Sequence, residues 1–361
     1  MINKERLINY FIDFVQTSSE TKQEKYFANK LKHHMSELGC EVIEDDSTNI
    51  TKLETGNVIC RLPGTKSNIP SLLFCAHMDT VTPGTAIHPI ICNSEIKSDG
   101  TTILGADDKA AIAALVEVIH ILQEEKIEFG NIELLFTVGE ESGFLGSKAL
   151  QSKDLQSNFG YVLDSEGSVG SIEVASAAQC AIKLLFDSSD SHFSMIDIYK
   201  EIRNLYNQVC ADSSSDLSMV QFGTVENTKK NEIKLLLTTF DQDEIRLFHL
   251  QLQDYIKNKL SICHPQLIFE LVNPSHIMKK NDQLISLFKQ ATKQQKIPYK
   301  SIVNRSGSDT NILASYGLDV ANIAVGYKNI HTKQESISID DLFQLTKLIL
   351  QIIQCHANED N

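Results

Sequence analysis

No run of about 18 apolar residues occurs in the chain, so no membrane-spanning helix is expected. The opening MINKERLINYF enters an amphipathic pattern at once and lacks the apolar core of a signal peptide. Basic residues are in deficit: 33 Lys and Arg stand against 47 Asp and Glu, a formal charge of −14. A chain this acidic is poorly suited to gripping phosphates, which argues against DNA or RNA as a partner. The excess acid must face water or hold cations. None of the eight cysteines (Cys40, Cys60, Cys75, Cys92, Cys180, Cys210, Cys263 and Cys355) belongs to a C-x-x-C pair. Scattered cysteines, several in apolar runs, read as reduced core thiols of a cytoplasmic protein rather than disulfides or metal thiolates. Also missing are G-x-G-x-x-G and G-x-x-x-x-G-K-[ST], which leaves nucleotide binding unsupported. G-x-S-x-G and H-E-x-x-H are absent too, against an α/β-hydrolase and a zincin.

What is there fits a globular protein. Hydrophobic residues make up 42% and charged residues 22% of 361, near the average for folded domains. At about 150 residues per domain, this length suggests two. Residues 4–16 and 21–39 carry helical periodicity, as do 108–125, 144–151, 281–295 and 339–354. Four short apolar runs near 71–76, 131–138, 160–163 and 320–325 read as strands. Runs apolar throughout are buried on both faces, which favours a mostly parallel sheet sandwiched by helices, an α/β fold. The stretch 176–275 differs. Its strand, helix, strand, strand, helix, strand order is the split βαβ pattern of a small two-layer α+β domain of ferredoxin-like type. The expected organisation is therefore one domain of 1–175 and 276–361 with residues 176–275 inserted as a second.

The acids and histidines fall at informative places. His77 and Asp79 follow one apolar run, Glu140 and Glu141 a second, and Asp164 a third. His331 follows the fourth after a short loop, and Asp107 and Asp108 precede a long helix. Ligands of open α/β sheets bind outside the carboxyl ends of the strands. Each of these residues alone is ordinary; their collection at matched strand ends is not. Gathered together, the carboxylates repel unless protonated or neutralised by a cation. Two imidazoles favour a transition metal over calcium or magnesium. Five acids and two histidines exceed one tetrahedral zinc, so two divalent ions sharing a carboxylate are expected. His77 and Asp79, at i and i+2, share a face in extended chain, so Asp79 can fix the imidazole tautomer. Adjacent Glu140 and Glu141 diverge, leaving one to ligate and the other to act as general base. Asp107 is expected to open its helix, where the dipole favours a carboxylate.

The blocks LLFCAHMDTVTPG, DGTTILGADDKAAIAALVE, LLFTVGEESGFLGSKAL, YVLDSEG and SGSDTN…NIAVGYKNIHTKQESI resemble, in order, those of peptidase T-like aminotripeptidases. These belong to the dinuclear zinc exopeptidase and amidohydrolase family that includes carboxypeptidase G and succinyl-diaminopimelate desuccinylase. The likeness covers most of 1–175 and 275–350. It implies a zinc-exopeptidase-like fold with an inserted lid. His77, Asp107 and Asp164 would hold one ion, and Asp107, Glu141 and His331 the other, with Asp107 as bridge. Asp79 would orient His77, and Glu140 would be the general base that serves the attacking water and then the leaving amine. Arg305, in R-x-G-x-D with Gly307 and Asp309, would grip a peptide carboxylate or carbonyl. The ions would be zinc, with manganese or cobalt acceptable to the same donors. The substrate would be a short peptide, and the lid would pair two copies of the chain.

The inserted segment departs from that family. Its relatives carry a K-A-A-H-A-G…P-E-x-G block after the first lid strand, where this chain reads AIKLLFDSSDSHFSMIDIYKEI. His192 is the candidate replacement for the missing histidine. Thr238 and Thr239 stand where the family has an arginine. Three readings follow: an aminotripeptidase-like exopeptidase, an amidohydrolase of N-acyl amino acids, and a catalytically impaired metal- or peptide-binding relative.

Overall fold

The computed structural model describes residues 2–358 apart from 67, 188–193, 210–215, 225–229, 262, 264, 280 and 281. His192 and Cys210 therefore lie outside the described residues. The chain forms two compact units: Met1–Val174 with Met278–Ile302 and Ser308–Asn361, and Ala175–Ile277 with Val303–Gly307.

The first unit is built on a mixed sheet with a parallel centre. Strands Ile132–Thr137, Leu72–His77, Phe159–Ser165 and Asp319–Ala324 lie side by side in that order, each parallel to its neighbour. Val58–Leu62 and Glu41–Glu44 extend one side antiparallel. Leu72–His77 and Ile132–Thr137 are buried at every position, as their mostly apolar sequences imply, with Glu133 the one charged exception inside a strand. The period of two divides them between two cores. Leu72, Phe74 and Ala76 join the larger core with Leu134, Phe136, Tyr161 and Leu163, while Leu73 and Cys75 join Leu135, Val162 and Val320 on the other face.

Helix Ala106–Glu124 is buried almost all round, and its alanines (Ala110, Ala111, Ala113 and Ala114) have no exposed surface. A helix apolar on every side belongs in an interior. Asp107 and Asp108 have non-helical backbone angles, so regular helix begins after them, as their position ahead of the apolar stretch implies. Asp107 thus stands at the mouth of the helix, not in its first turn.

The second unit has a four-stranded antiparallel sheet in the order Asp216–Thr224, Lys230–Thr239, Ala178–Asp187 and Gln266–Asn273. Helices Met195–Val209 and Gln242–Lys259 supply Ile202, Phe248 and Leu252 to a core shared with Ile182, Leu184 and Leu235. Alternate burial along Ala178–Asp187 gives the sheet one covered face. Thr239 donates its hydroxyl to Glu244 at 2.5 Å, tying the strand end to the helix that follows.

Candidate metal centre

Parallel pairing brings the carboxyl ends of the central strands to one edge of the sheet. His77 is the last residue of its strand and pairs with Thr137, the last of the neighbouring one. Asp164 is the penultimate residue of strand Phe159–Ser165 rather than a residue beyond it, and Ser165 pairs with Ala324. From this edge the chain presents the acids and imidazoles that the sequence singles out.

They converge. His77 Nε2 lies 3.1 Å from Asp107 Oδ1 and 3.8 Å from Asp164 Oδ1. The other oxygen of Asp107 lies 3.1 Å from His331 Nε2, which is 2.8 Å from Glu141 Oε1. Three groups offer ligand atoms within 4.8 Å of one another: His77 with Asp107 and Asp164, Asp107 with Glu141 and His331, and His77 with Glu140 and Glu141. The first two share Asp107, one oxygen facing each imidazole. Glu140 is buried beside them.

The surroundings aim these donors. Leu104, Gly105 and Asp107 donate their backbone N–H groups to the buried carboxylate of Glu335 at 2.8, 2.7 and 3.0 Å, fixing the segment that bears Asp107. Tyr327 donates its hydroxyl to Asp164 Oδ1 at 3.2 Å, and the Asp164 N–H donates to Asn322 Oδ1 at 3.0 Å. His331 adopts φ +59°, a left-handed turn that brings its ring back over the site.

Asp79 behaves differently from the i, i+2 expectation. His77 Nδ1 meets the main-chain carbonyl of Asp79 at 2.9 Å, with the carboxylate farther off at 3.5 Å. The strand ends at His77, so extended geometry does not carry on to Asp79. The Asp79 carboxylate instead accepts from the backbone N–H groups of Glu140 (3.0 Å) and Glu141 (3.2 Å) and from the Thr21 hydroxyl (2.7 Å).

The electrostatics are those of a site short of positive charge. Burial opposes the charge on His77, but its bonds to Asp107 and Asp79 prevail and raise its proton affinity well above the usual imidazole range. Bonds to Asp107 and then Glu141 push His331 up to about 10. Burial would raise Asp107, yet hydrogen bonds from His331 and His77 hold it below the usual carboxylate range. Burial, then the charge of Asp107, pushes Asp164 well up, and burial, then the charge of Asp164, does the same to Glu140. Protons are drawn to where cations would serve.

Arg305 belongs to the second unit. Its side chain is exposed, and its carbonyl accepts from Gln179 Nε2 at 3.4 Å. The seven described cysteines are free, and all but Cys92 are buried. Among the described residues no helix is long and apolar enough to cross a membrane. Glu335, Tyr327, Glu24 and Lys109 were not singled out by sequence. An isolated acid or phenol in a loop carries no pattern; Glu335, Tyr327 and Lys109 lie within the family-like blocks and Glu24 outside them.

Residues 73–354 match peptidase family M20/M25/M40. The chain belongs to this family. It is 34% identical to the aminopeptidase PepT of Bacillus cereus ATCC 10987, whose crystal structure superposes with a TM-score of 0.89 over 99% of this chain and 100% of that one. A tripeptidase of Staphylococcus aureus subsp. aureus Mu50 is 31% identical, with a TM-score of 0.90 over 99% and 100% of the two chains. The uncharacterised protein YqjE of Bacillus subtilis (strain 168) is 35% identical over 98% of this chain and 99% of its own length. Family and full-length likeness carry the reaction class with them: a hydrolase of the metallopeptidase type, acting as a metal-dependent exopeptidase.

Proposed function

We propose that the protein is an aminopeptidase of short unblocked peptides, tripeptides foremost, working with two divalent ions held around Asp107. The observation that carries this reading is the placement of Asp107 between His77 and His331, each of its oxygens 3.1 Å from one imidazole. His77, Asp107 and Asp164 would hold one ion, and Asp107, Glu141 and His331 the other. The donor set fits that cargo: mixed imidazole and carboxylate suits zinc, and equally manganese or cobalt. So does the charge balance, since these same imidazoles are drawn to hold protons and Asp164 is pushed towards its neutral form. When bound, the ions supply Lewis acidity to the scissile carbonyl and to the attacking water.

The remaining work falls to the chain itself. Glu140 takes a proton from the attacking water on its carboxylate and returns it to the departing amine nitrogen. Its burial, with Asp164 near by, gives it the raised proton affinity such a shuttle needs. Asp79 aims Glu140 by accepting the N–H of that residue, and its carbonyl holds the His77 ring through Nδ1. The free, mostly buried thiols support a reducing compartment, the cytoplasm.

Unblocked tripeptides, dipeptides and N-acetyl amino acids, each with zinc, manganese or cobalt and with or without chelator, test the reading. Release of the N-terminal residue from tripeptides, lost on chelation and restored by metal, is expected. Absence of metal-dependent release from every peptide overturns it, and preferred cleavage of N-acetyl amino acids reassigns the substrate.

A further inference from the structure

Glu140 and Glu141 sit on a tight turn whose two stems meet. The Gly146 N–H donates to the Val138 carbonyl at 2.8 Å and the Leu145 N–H to that of Gly139 at 3.0 Å. Backbone bonds alone close such a turn without saying where it stands against the rest of the site. One buried side chain touches both stems with charge. Asp309, 2% exposed, accepts the hydroxyl of Thr137 on Oδ2 and that of Ser147 on Oδ1, each at 2.5 Å. Thr137 ends the strand leading into the turn, and Ser147 lies in the helix leading out. Short hydroxyl–carboxylate bonds of this length are the charge-assisted kind, about twice as strong as neutral ones.

Asp309 itself has little freedom. It begins helix Asp309–Ser315, capped by Ser308, whose hydroxyl accepts the Thr310 N–H at 3.2 Å while Asn311 Oδ1 accepts the Ser308 N–H at 3.0 Å. The same Ser308 hydroxyl accepts from Asn322 Nδ2 at 3.2 Å, and Asn322 in turn bonds the backbone of Asp164. Asp309 therefore links the turn bearing Glu140 to the strand bearing Asp164. A second clasp supports it: Asn57 accepts the Val138 N–H at 3.2 Å and donates to the Gly146 carbonyl at 3.0 Å. That clasp is tight, since a Cβ on Gly146 would lie 2.2 Å from Asn57 Oδ1.

We infer that Asp309 is a positioning residue for the reaction: by joining Thr137 to Ser147 it sets where the carboxylates of Glu140 and Glu141 stand. The inference rests on the role proposed above for Glu140. A misplacement of about 1 Å far from the chemistry can cost ~10²-fold in rate, so the clasp should register in turnover more than in substrate affinity.

Asp309→Asn and the pair Thr137→Val/Ser147→Ala test it, beside Glu140→Gln, with kcat, KM and calorimetric Mn2+ binding measured on each. For Asp309→Asn and for the pair, kcat is expected to fall roughly 10- to 100-fold, with KM within about threefold of wild type. Because Glu141 shares the turn, affinity for one Mn2+ equivalent is expected to fall as well. Thr137→Ser, which keeps the hydroxyl, should retain kcat within about threefold, and Asp309→Asn should add little to Glu140→Gln. Wild-type kcat and Mn2+ binding in folded Asp309→Asn, with Glu140→Gln inactive, overturns the inference alone. Should Asp309→Asn not fold, wild-type values in the hydroxyl pair do the same. Full activity in Glu140→Gln instead removes the proposed base and, with it, the ground for this inference.

Discussion

Asp79 Oδ1 accepts the backbone N–H of Glu140 at 3.0 Å, so the acid two residues after His77 fixes the carboxylate proposed to move protons. A single carboxylate, 0% exposed, also takes the Glu141 N–H and the Thr21 hydroxyl, while its main chain steers the His77 ring. Asp79 thereby couples the imidazole strand to the two-glutamate turn. Asparagine in its place turns an N–H group towards an N–H donor and leaves buried groups unpaired. Asp79→Asn is expected to lower kcat by roughly 10²-fold or more, measured on a tripeptide at saturating metal.

Glu140 supplies the sharpest comparison. Glutamine keeps the shape and removes the proton acceptor. Glu140→Gln is expected to lose about 10²–10⁴ in kcat while binding the same number of metal ions, read by calorimetry and steady-state assay together. Turnover near that of wild type would strip Glu140 of its role.

Glu335 touches no substrate in this account, yet it holds three N–H groups around Asp107. Partners of this kind commonly govern metal affinity by about 10–100-fold. Glu335→Gln is expected to weaken ion binding by that order, and its turnover should recover as metal is raised. Loss of turnover that excess metal does not restore would count against it.

Glu24 gives a pH dependence. Burial, then the charge of Asp79, pushes its carboxyl from the ordinary 4.5 up to about 7. Its Oε1 accepts the Gly139 N–H at 3.2 Å. Between those two values the folded state holds more protons than the unfolded one, so stability falls as pH rises through that window. Glutamine cannot ionise. Relative to wild type, Glu24→Gln should gain stability from about pH 4 to pH 8, on the order of 2–3 kcal/mol at most. Urea melts of both proteins across that range in chelator check it, and parallel curves would contradict it.

Much of this centre is legible in the amino-acid sequence. Apolar runs without alternation gave the parallel strands, and the acids after them gave the residues that meet at His77 and Asp107. Short or exposed strands were harder to see. Glu41–Glu44 is a four-residue strand with no buried residue, and Pro89–Cys92 is a four-residue apolar stretch with three exposed residues, each too short to stand out as a strand. The contact made by Asp79 is legible only in part: it meets His77 Nδ1 through its main-chain carbonyl at 2.9 Å with the carboxylate at 3.5 Å, a division that follows from the strand stopping at His77. Glu335 reaches Asp107 across 228 residues of chain, and Asp309 reaches Thr137 across 172. Separations that long are set by the packing of strands and helices, which no local spacing encodes.

The central claim is that Asp107 serves two ions at once, and counting ions tests it most directly. Metal-stripped wild type, titrated with zinc in a calorimeter, is expected to take up two equivalents per chain. His331→Ala should keep one, and Asp107→Ala should lose tight binding of both. A single equivalent in the wild type, or two tight equivalents in Asp107→Ala, would contradict the shared carboxylate.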